Sequence, residues 1–224
     1  MSNLYIVATP IGNLEDITLR ALRVLKEVDF ILCEDTRVTG KLLEHHGIDT
    51  GTISYHQHSR LSKVNRILEF LKDGKDLALV SDSGTPGVSD PGGKLVEQVY
   101  QELGDKVEIE SVPGPSAVTA ALSISGLPAD KFLFLGFPPK KKRNRFFQEV
   151  KESSHSVVIY ESPHRIIKTL NDIRDVVDGN TRIFVGRELT KKFESLYRGK
   201  VGEVIQQVKN DPNKGEYTVI IEKG

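Results

Sequence analysis

The sequence predicts an α/β protein of two domains, with a mainly parallel sheet in the N-terminal domain and a mixed sheet in the C-terminal domain. Short β-rich apolar runs alternate with segments in which apolar residues recur at helical spacing. Such alternation is typical of a parallel sheet covered by helices. The pattern breaks at residues 112–116, Val-Pro-Gly-Pro-Ser, and a second series begins. We therefore place the domains at residues 1–115 and 116–224.

Four strands are predicted in the first domain, at residues 4–8, 30–33, 77–80 and 107–112. Helices between them show clear apolar stripes. One stripe is formed by Leu19, Leu22 and Leu25 after a Thr18 cap, and another by Val64, Ile67, Leu68 and Leu71 after a Ser62 cap.

The second domain has a different pattern. Strands are predicted at residues 132–135, 157–160, 183–185 and 217–221. Segments 194–199 and 216–222 look like neighbouring antiparallel strands that flank a helix carrying Val201, Val204, Ile205 and Val208. We therefore expect a mixed sheet in this half.

Composition narrows the class of protein. The 224 residues are 38% apolar, with 31 basic and 31 acidic side chains, so no global electrostatic partner is implied. The single cysteine, Cys33, excludes an internal disulfide and favours the reducing cytoplasm. No stretch approaches 18 consecutive apolar residues, and the N-terminus does not resemble a secretory signal, so we expect no membrane association.

Three loops rich in glycine and proline each follow a predicted strand. They are residues 8–13 (ATPIGN), 81–93 (SDSGTPGVSDPGG) and 113–117 (PGPSA). Because the carboxyl ends of parallel strands meet at one edge of a sheet, these loops can form one ligand-binding crevice. Taken alone, each loop is more often an ordinary turn, because Gly and Pro are the commonest turn residues. Neither a GxxxxGKS/T phosphate loop nor a GxGxxG dinucleotide loop is present.

Taken together and in order, the three loops resemble the tetrapyrrole methylase superfamily, whose two α/β domains hold S-adenosylmethionine in the cleft between them. Longer blocks narrow this resemblance to the ribosomal RNA small subunit methyltransferase I family. These blocks are residues 4–22, 33–37 (CEDTR), 54–58 (SYHQH), 80–92, 112–128, 134–139 (FLGFPP) and 160–165 (YESPHR).

The family resemblance implies a reaction and partners. The reaction is methyl transfer from S-adenosylmethionine to the ribose 2′-hydroxyl of a cytidine in the decoding region of 16S rRNA. The implied partners are the small ribosomal subunit and a second copy of the chain, rather than DNA or a membrane. By the superfamily pattern, the cofactor is lined by Pro10, Val80, Ser81, Asp82, Thr85, Ser116, Ala117, Tyr160 and Leu189.

Methyl transfer to a hydroxyl calls for a proton acceptor at its oxygen and does not require a metal ion. The candidate catalytic residues lie at predicted strand ends and are Glu34, Asp35, Glu161, Arg187 and Glu188. Each carboxylate also has a structural interpretation. Asp35 or Thr36 can cap the following helix, and Arg187 can pair with Glu188 or hold a phosphate.

Five of the six residues at 140–145 are cationic, which is compatible with a solvated face or with phosphate binding. Pro163 is predicted as a first helical residue, which places Arg165 at a helix N-terminus that favours phosphate. The candidate RNA-binding residues are therefore Lys140, Lys141, Lys142, Arg143, Arg145 and Arg165. His56 and His58 alternate on an extended segment; without a third ligand we predict RNA contact or exposure rather than metal binding.

Two other functions remain open on the sequence. A small-molecule methyltransferase acting on a tetrapyrrole is compatible with the fold, although the basic run, CEDTR and YESPHR argue against it. A ribosome-binding module without a cofactor is the second, and the intact SDSGTPG loop argues against it. Salt-dependent association with rRNA and thermal stabilisation by S-adenosylmethionine would separate the three functions.

Overall fold

The computed structural model describes residues 1–56, 61–90, 92–212 and 214–223. The chain forms two compact units, Met1–Ser116 and Ala117–Gly224. The division falls one residue after the predicted boundary. Within the described residues, no helix is both long and apolar enough to cross a membrane.

The first unit contains a five-stranded sheet, and every pairing in it is parallel, as predicted. Its strands are β1 (Ser2–Val7), β2 (Phe30–Cys33), β3 (Thr52–Ser54), β4 (Leu77–Val80) and β5 (Val107–Val112). Its helices are α1 (Leu19–Glu27), α2 (Thr36–His45), α3 (Leu61–Lys72) and α4 (Gly92–Leu103). The strand order is β3-β2-β4-β1-β5, which places β1 and β4 side by side.

Helices cover both faces of this sheet, which explains why β4 is buried along its whole length. Apolar residues of α1 and α2 pack on one face, including Leu25 and Leu42. Residues of α3 and α4 pack on the other, including Ile67 and Leu95. Both faces of the sheet are therefore covered by helices. A ligand can be bound only by the loops at the ends of the strands.

Two details of the first unit differ from the sequence prediction. Strand β3 was not predicted, because three half-buried residues at a sheet edge carry little periodic signal. The predicted Ser62 cap is wrong, since α3 begins at Leu61 and Ser62 is its second residue. The Thr18 cap is confirmed: its side chain accepts a hydrogen bond from the Ala21 backbone N–H.

The second unit contains a five-stranded mixed sheet, also as predicted, with the order β6-β7-β10-β8-β9. Its strands are β6 (Phe132–Phe134), β7 (Ser156–Glu161), β8 (Arg182–Arg187), β9 (Ser195–Lys200) and β10 (Tyr217–Ile221). Its helices are α5 (Ala117–Ser125), α6 (Arg143–Glu152), α7 (Ile166–Arg174) and α8 (Val201–Lys209). Strands β6 and β7 are parallel, and the other pairs are antiparallel.

The predicted pairing of segments 194–199 and 216–222 is wrong, because β8 lies between β9 and β10. Burial explains the observed order. Every residue of β10 is buried, so this strand takes the central position with a partner on each side. The residues of β9 are half-buried or exposed, which suits an edge strand.

Candidate active site

The three glycine- and proline-rich loops meet at the carboxyl edge of the first sheet. Thr9, after β1, exchanges backbone hydrogen bonds of 3.0 and 3.1 Å with Gly84, after β4. The Thr9 hydroxyl donates to the Ser81 carbonyl at 3.0 Å, and the Thr85 hydroxyl donates to the Pro115 carbonyl at 3.2 Å. The three loops are therefore joined to one another by hydrogen bonds.

A cavity of about 250 Å³ opens beside these loops. Three predicted cofactor residues, Pro10, Ser81 and Asp82, line one side of it. Residues of α2 that the sequence analysis missed also form part of the wall; they are Val38, Thr39, Lys41 and Leu42. Val38 is 42% exposed, although it stands four residues before buried Leu42, a spacing that predicts a buried face. The sequence therefore carried no signal for this wall.

The loop at 81–93 is braced from within. Asp90 Oδ1 accepts backbone hydrogen bonds from Gly87 and Gly92, each 2.7 Å long. A side chain at position 92 would place its Cβ 2.8 Å from the Gly87 nitrogen, so glycine is required there. Asp90 is thus a structural carboxylate, and Asp82, which is exposed, is the carboxylate that faces the cavity.

The two acidic residues of CEDTR have different environments. Asp35 caps α2 by accepting from the Arg37 backbone N–H at 2.9 Å, and its other oxygen lies 2.6 Å from the Arg37 guanidinium. These contacts lower the pKa of Asp35 to about 2. The backbone N–H of Asp35 donates to Asp82 Oδ1 at 3.1 Å, which joins CEDTR to the cavity loop. The capping interpretation of Asp35 agrees with this geometry.

Glu34 is exposed at the end of β2 and contributes to a small pocket that also includes Ser81 and Asp90. Partial desolvation is the largest cause that raises the pKa of Glu34, and the carboxylates of Asp82 and Asp90 raise it further. A carboxylate with a raised pKa is a better proton acceptor near neutral pH than an ordinary one. The pKa of Glu34 is therefore shifted in the direction that favours proton acceptance.

Glu161 ends β7 and is 1% exposed. Its carboxylate accepts from the Thr169 hydroxyl at 2.5 Å and from the Ser162 backbone N–H at 2.7 Å. The Arg165 guanidinium lies 3.2 Å away. Thr169 in turn accepts from Arg143 at 2.8 Å. This buried network joins β7, α6 and α7. Both carboxylate oxygens of Glu161 are engaged within it.

Arg187 and Glu188 lie at the end of β8, where they organise a turn. Arg187 is 7% exposed, and its Nε donates to the Lys214 carbonyl at 3.0 Å while Nη1 donates to the Phe193 carbonyl at 3.4 Å. Its Nε also lies 3.8 Å from the Asp211 carboxylate. Arg187 therefore ties the turn after β8 to the segment before β10.

Glu188 has a positive φ of 51°, a backbone conformation that non-glycine residues rarely adopt. Its Oε1 accepts from Lys191 Nζ at 2.9 Å and from the Glu216 backbone N–H at 3.0 Å. Burial acts to raise the pKa of Glu188, but these two hydrogen bonds outweigh it, and the net pKa is lowered. At Gly215, with φ +97°, a Cβ would lie 2.5 Å from Glu188, so the neighbouring chain accommodates this carboxylate.

The remaining predicted cofactor residues lie at loop and strand ends. Val80 ends β4, and Ser116 follows Pro115 at the close of the first unit. In the second unit, Ala117 begins α5, Tyr160 lies near the end of β7, and Leu189 is buried in the turn after β8.

The predicted RNA-binding residues divide into two groups. Lys140, Lys141, Lys142 and Arg145 are exposed. Arg143 instead lies 2.6 Å from Asp172 and stacks over the Phe147 ring.

The prediction that Pro163 begins a helix is wrong: α7 starts at Ile166 with Arg165 as its N-cap residue. The Arg165 side chain donates to the Pro138 carbonyl and pairs with Glu161. Its charge is therefore engaged within the second unit.

Of the two predicted surface histidines, His56 Nδ1 lies 3.3 Å from the Glu34 carbonyl oxygen. His58 lies outside the described residues. Among the residues that the structure describes, no group of three or more His, Cys, Asp or Glu side chains is placed to hold a metal ion.

The fold and the joined loops define the class of protein. The family model for Tetrapyrrole (Corrin/Porphyrin) Methylases matches residues 3–205. A solved cobalt precorrin-4 methyltransferase, a cobalamin biosynthetic enzyme, superposes with a TM-score of 0.70 at 18% identity and covers 98% of this chain and 94% of its own. That similarity concerns the fold alone.

Sequence relatives specify the branch. The Ribosomal RNA small subunit methyltransferase I of Thermotoga maritima is 45% identical over 222 residues, 99% of this chain and 98% of the relative. The protein of that name from Vibrio cholerae serotype O1 is 47% identical, over 97% of this chain and 76% of the relative. The chain belongs to the ribosomal RNA small subunit methyltransferase I family, within the tetrapyrrole methylases. It is a methyltransferase that uses S-adenosylmethionine.

The cavity in the first unit and its lining residues fit S-adenosylmethionine. The cavity of about 250 Å³ lies beside loops that are joined through backbone hydrogen bonds, and Pro10 and Ser81 line its wall. Small residues at such a wall allow close approach of a ligand to the main chain. The Asp82 carboxylate adds one charged acceptor for hydroxyl or amino groups.

Proposed function

We propose that this protein methylates the ribose 2′-hydroxyl of a cytidine in the decoding region of 16S rRNA. The observation that carries the proposal is 45% identity, over 99% of the chain, to a protein named Ribosomal RNA small subunit methyltransferase I. The joined loops at the carboxyl edge of the first sheet supply a site of the expected kind.

In this proposal, the residues that line the cofactor are those that the superfamily pattern implies. They are Pro10, Val80, Ser81, Asp82, Thr85, Ser116, Ala117, Tyr160 and Leu189. Bound S-adenosylmethionine supplies an electrophilic methyl carbon, and the protein's part is to align the hydroxyl and exclude water.

We infer that Glu34 accepts the proton of the ribose hydroxyl, ahead of the other predicted catalytic residues. Its pKa is raised, and its carboxylate is exposed at the loop edge. Asp35 is already engaged with Arg37, and Glu161 is buried in its own network. We assign Arg187 and Glu188 to positioning the turn that carries Leu189, because both form hydrogen bonds within that turn or to the segment before β10.

The substrate RNA would be held through its phosphates by Lys140, Lys141, Lys142 and Arg145, which are exposed. Arg143 and Arg165 anchor the backbone before this segment, because their guanidinium groups donate hydrogen bonds to the carbonyls of Pro139 and Pro138. We further propose a homodimer that acts on the small ribosomal subunit in the cytoplasm.

The experiment combines purified protein, methyl-labelled S-adenosylmethionine and small subunits that lack prior modification. Naked 16S rRNA serves as a second substrate and a tetrapyrrole as a third. We expect label on one cytidine, at the 2′-oxygen, on subunits or on rRNA. Label on the tetrapyrrole alone would overturn the proposal in favour of a small-molecule enzyme. S-adenosylmethionine binding without label on any of the three would also contradict it.

A further inference from the structure

Phe137 is a large apolar side chain that the second unit leaves accessible to solvent. It follows β6 and is 54% exposed, although burying a phenylalanine contributes about 1.5–3 kcal/mol to folding. It belongs to neither the catalytic nor the cofactor-binding residues. Its position between β6 and the cationic segment 140–145 raises the question of what covers it.

The Phe137 ring is held in place by the protein itself. It packs against Tyr160 with ring centroids 5.4 Å apart and planes tilted by 56°. Tyr160 packs edge-on against Phe134 at 5.0 Å, so the three rings form one aromatic cluster. A ring that is already ordered loses little conformational entropy when a ligand stacks on it.

The backbone around Phe137 is also anchored. The Gly136 carbonyl accepts from the Tyr160 backbone N–H at 3.0 Å. The Pro138 carbonyl accepts from the Arg165 guanidinium, which is held in turn by buried Glu161. Two prolines directly after Phe137 restrict the chain further. The loop therefore presents the ring in a defined position.

The charges beside Phe137 indicate the chemistry of its partner. Lys140, Lys141, Lys142 and Arg145 follow within eight residues, and all four are exposed. Cations beside an exposed, ordered aromatic ring are the combination that binds single-stranded nucleic acid, through phosphates and base stacking respectively. A second copy docked symmetrically on this face would bring like charges together, which disfavours a subunit contact.

We propose that Phe137 is a stacking platform for an unpaired base of the RNA substrate, next to phosphates held by the Lys140–Lys142 segment. This inference rests on the proposed function, because it needs an RNA substrate. It adds a recognition element that acts through a base face and not through charge.

The test measures the dissociation constant of the full-length protein for two RNA ligands. One is the unmodified small subunit, and the other is a single-stranded 16S fragment that contains the unmodified target cytidine. Phe137→Ala should weaken binding about 5-fold to 150-fold, the range for loss of one stacked base. Phe137→Trp should bind as tightly as the wild type, because the flat ring remains. Phe137→Leu should weaken binding, because it keeps apolar volume without a flat ring.

A matched control is Phe132→Ala, which removes another exposed phenylalanine, 40% accessible, from β6. We expect no change in RNA affinity for it. The dependence of affinity on salt should have the same slope in Phe137→Ala as in the wild type, because no charge is removed. Circular dichroism and thermal melting confirm that each variant is folded before its affinity is compared.

Several outcomes would overturn the inference. Wild-type affinity in Phe137→Ala or Phe137→Leu would show that no base stacks there, while the proposed function would stand. Weaker S-adenosylmethionine binding with unchanged RNA affinity would make Phe137 part of the cofactor wall. Loss of a dimer by light scattering, with unchanged RNA affinity, would make it a subunit contact. Failure of the wild type to bind or methylate any RNA would remove the proposed function and this inference together.

Discussion

At the scale of single residues, the acidic side chains after the strands have separate tasks. Asp35 caps a helix, Asp90 braces a loop and Glu161 satisfies a buried network. Glu34 and Asp82 remain exposed at the edge of the first sheet. The residue type alone does not separate these roles, because each depends on which hydrogen-bond donor the fold places nearby.

Glu34→Gln tests the assignment of the general base. Removal of a general base slows the chemical step by about 10²- to 10⁴-fold, and we expect a loss in that range with little change in Kd for S-adenosylmethionine. In the wild type, the methylation rate should fall as the pH drops through the raised pKa of Glu34, and this acidic limb should vanish in the variant. The measurement is single-turnover methylation across pH. Asp35→Asn is the matched control and should retain the acidic limb; a wild-type profile in Glu34→Gln would refute the assignment.

Glu188→Gln tests the structural role of the second carboxylate. The ion pair with Lys191 joins side chains that are 19% and 30% exposed, and its loss should cost about 1 kcal/mol at pH 7. Because folding lowers the pKa of Glu188 from 4.5, this contribution is fully present above pH 4.5 and disappears as the pH falls through the lower folded value.

Urea unfolding of wild type and Glu188→Gln at several pH values measures that difference. The two curves should be separated at neutral pH and converge in acid. If Glu188 were catalytic, the variant would instead methylate about two or more orders of magnitude more slowly at unchanged stability, and that result would contradict the positioning role.

At the scale of elements, a buried polar network joins the strand and helices that carry the cationic segment. Thr169 on α7 is fully buried and lies at its centre. Its hydroxyl donates to Glu161 and accepts from Arg143, the first residue of α6. The orientation of the segment before α6 therefore depends on a hydroxyl group in the core.

Thr169→Val replaces that hydroxyl with a methyl group of similar size. It leaves a buried carboxylate short of one donor, so we expect the free energy of unfolding to fall by about 1–3 kcal/mol. Thr169→Ser keeps the hydroxyl and loses only a methyl group, so it should cost less than the valine variant. Chemical denaturation of the three proteins is the measurement. Equal stability of the valine variant and wild type would show that the network contributes little.

At the scale of the whole molecule, a net charge of zero conceals a local concentration of cations at residues 140–145. Long-range attraction to RNA should therefore be weak, while local phosphate contacts still make affinity dependent on salt. The number of those contacts can be read from the slope of log affinity against log salt.

The triple variant Lys140→Gln, Lys141→Gln, Lys142→Gln should reduce that slope by about 2, at roughly 0.7 for each phosphate contact with single-stranded RNA. A control with the same charge change replaces exposed Lys26, Lys72 and Lys106, which precede β2, β4 and β5 at the amino edge of the first sheet. The control slope should equal that of the wild type. Equal slopes for both variants would remove the segment from the RNA interface.

Much of the fold could be predicted because its signals are local. The helices of the first unit carry apolar stripes, and β4 is a continuous apolar run, so periodicity alone indicates buried strands between covering helices. Strand β3 and the neighbours of β9 were not predictable in this way. A three-residue edge strand carries little periodic pattern. The order of the strands depends on which strands are buried enough to take a central position, with a partner strand on each side.

The sequence by itself determined the two α/β units, the loops that follow the strands, and the family to which the chain belongs. These follow from periodicity and from long ordered motifs. Only the tertiary structure decided which of the similar side chains are engaged within the protein, such as Asp35 and Arg165, and which remain exposed, such as Glu34 and Phe137. The physical reason is that hydrogen bonding, burial and pKa depend on groups brought together by folding, and some of these lie tens of residues apart in the chain.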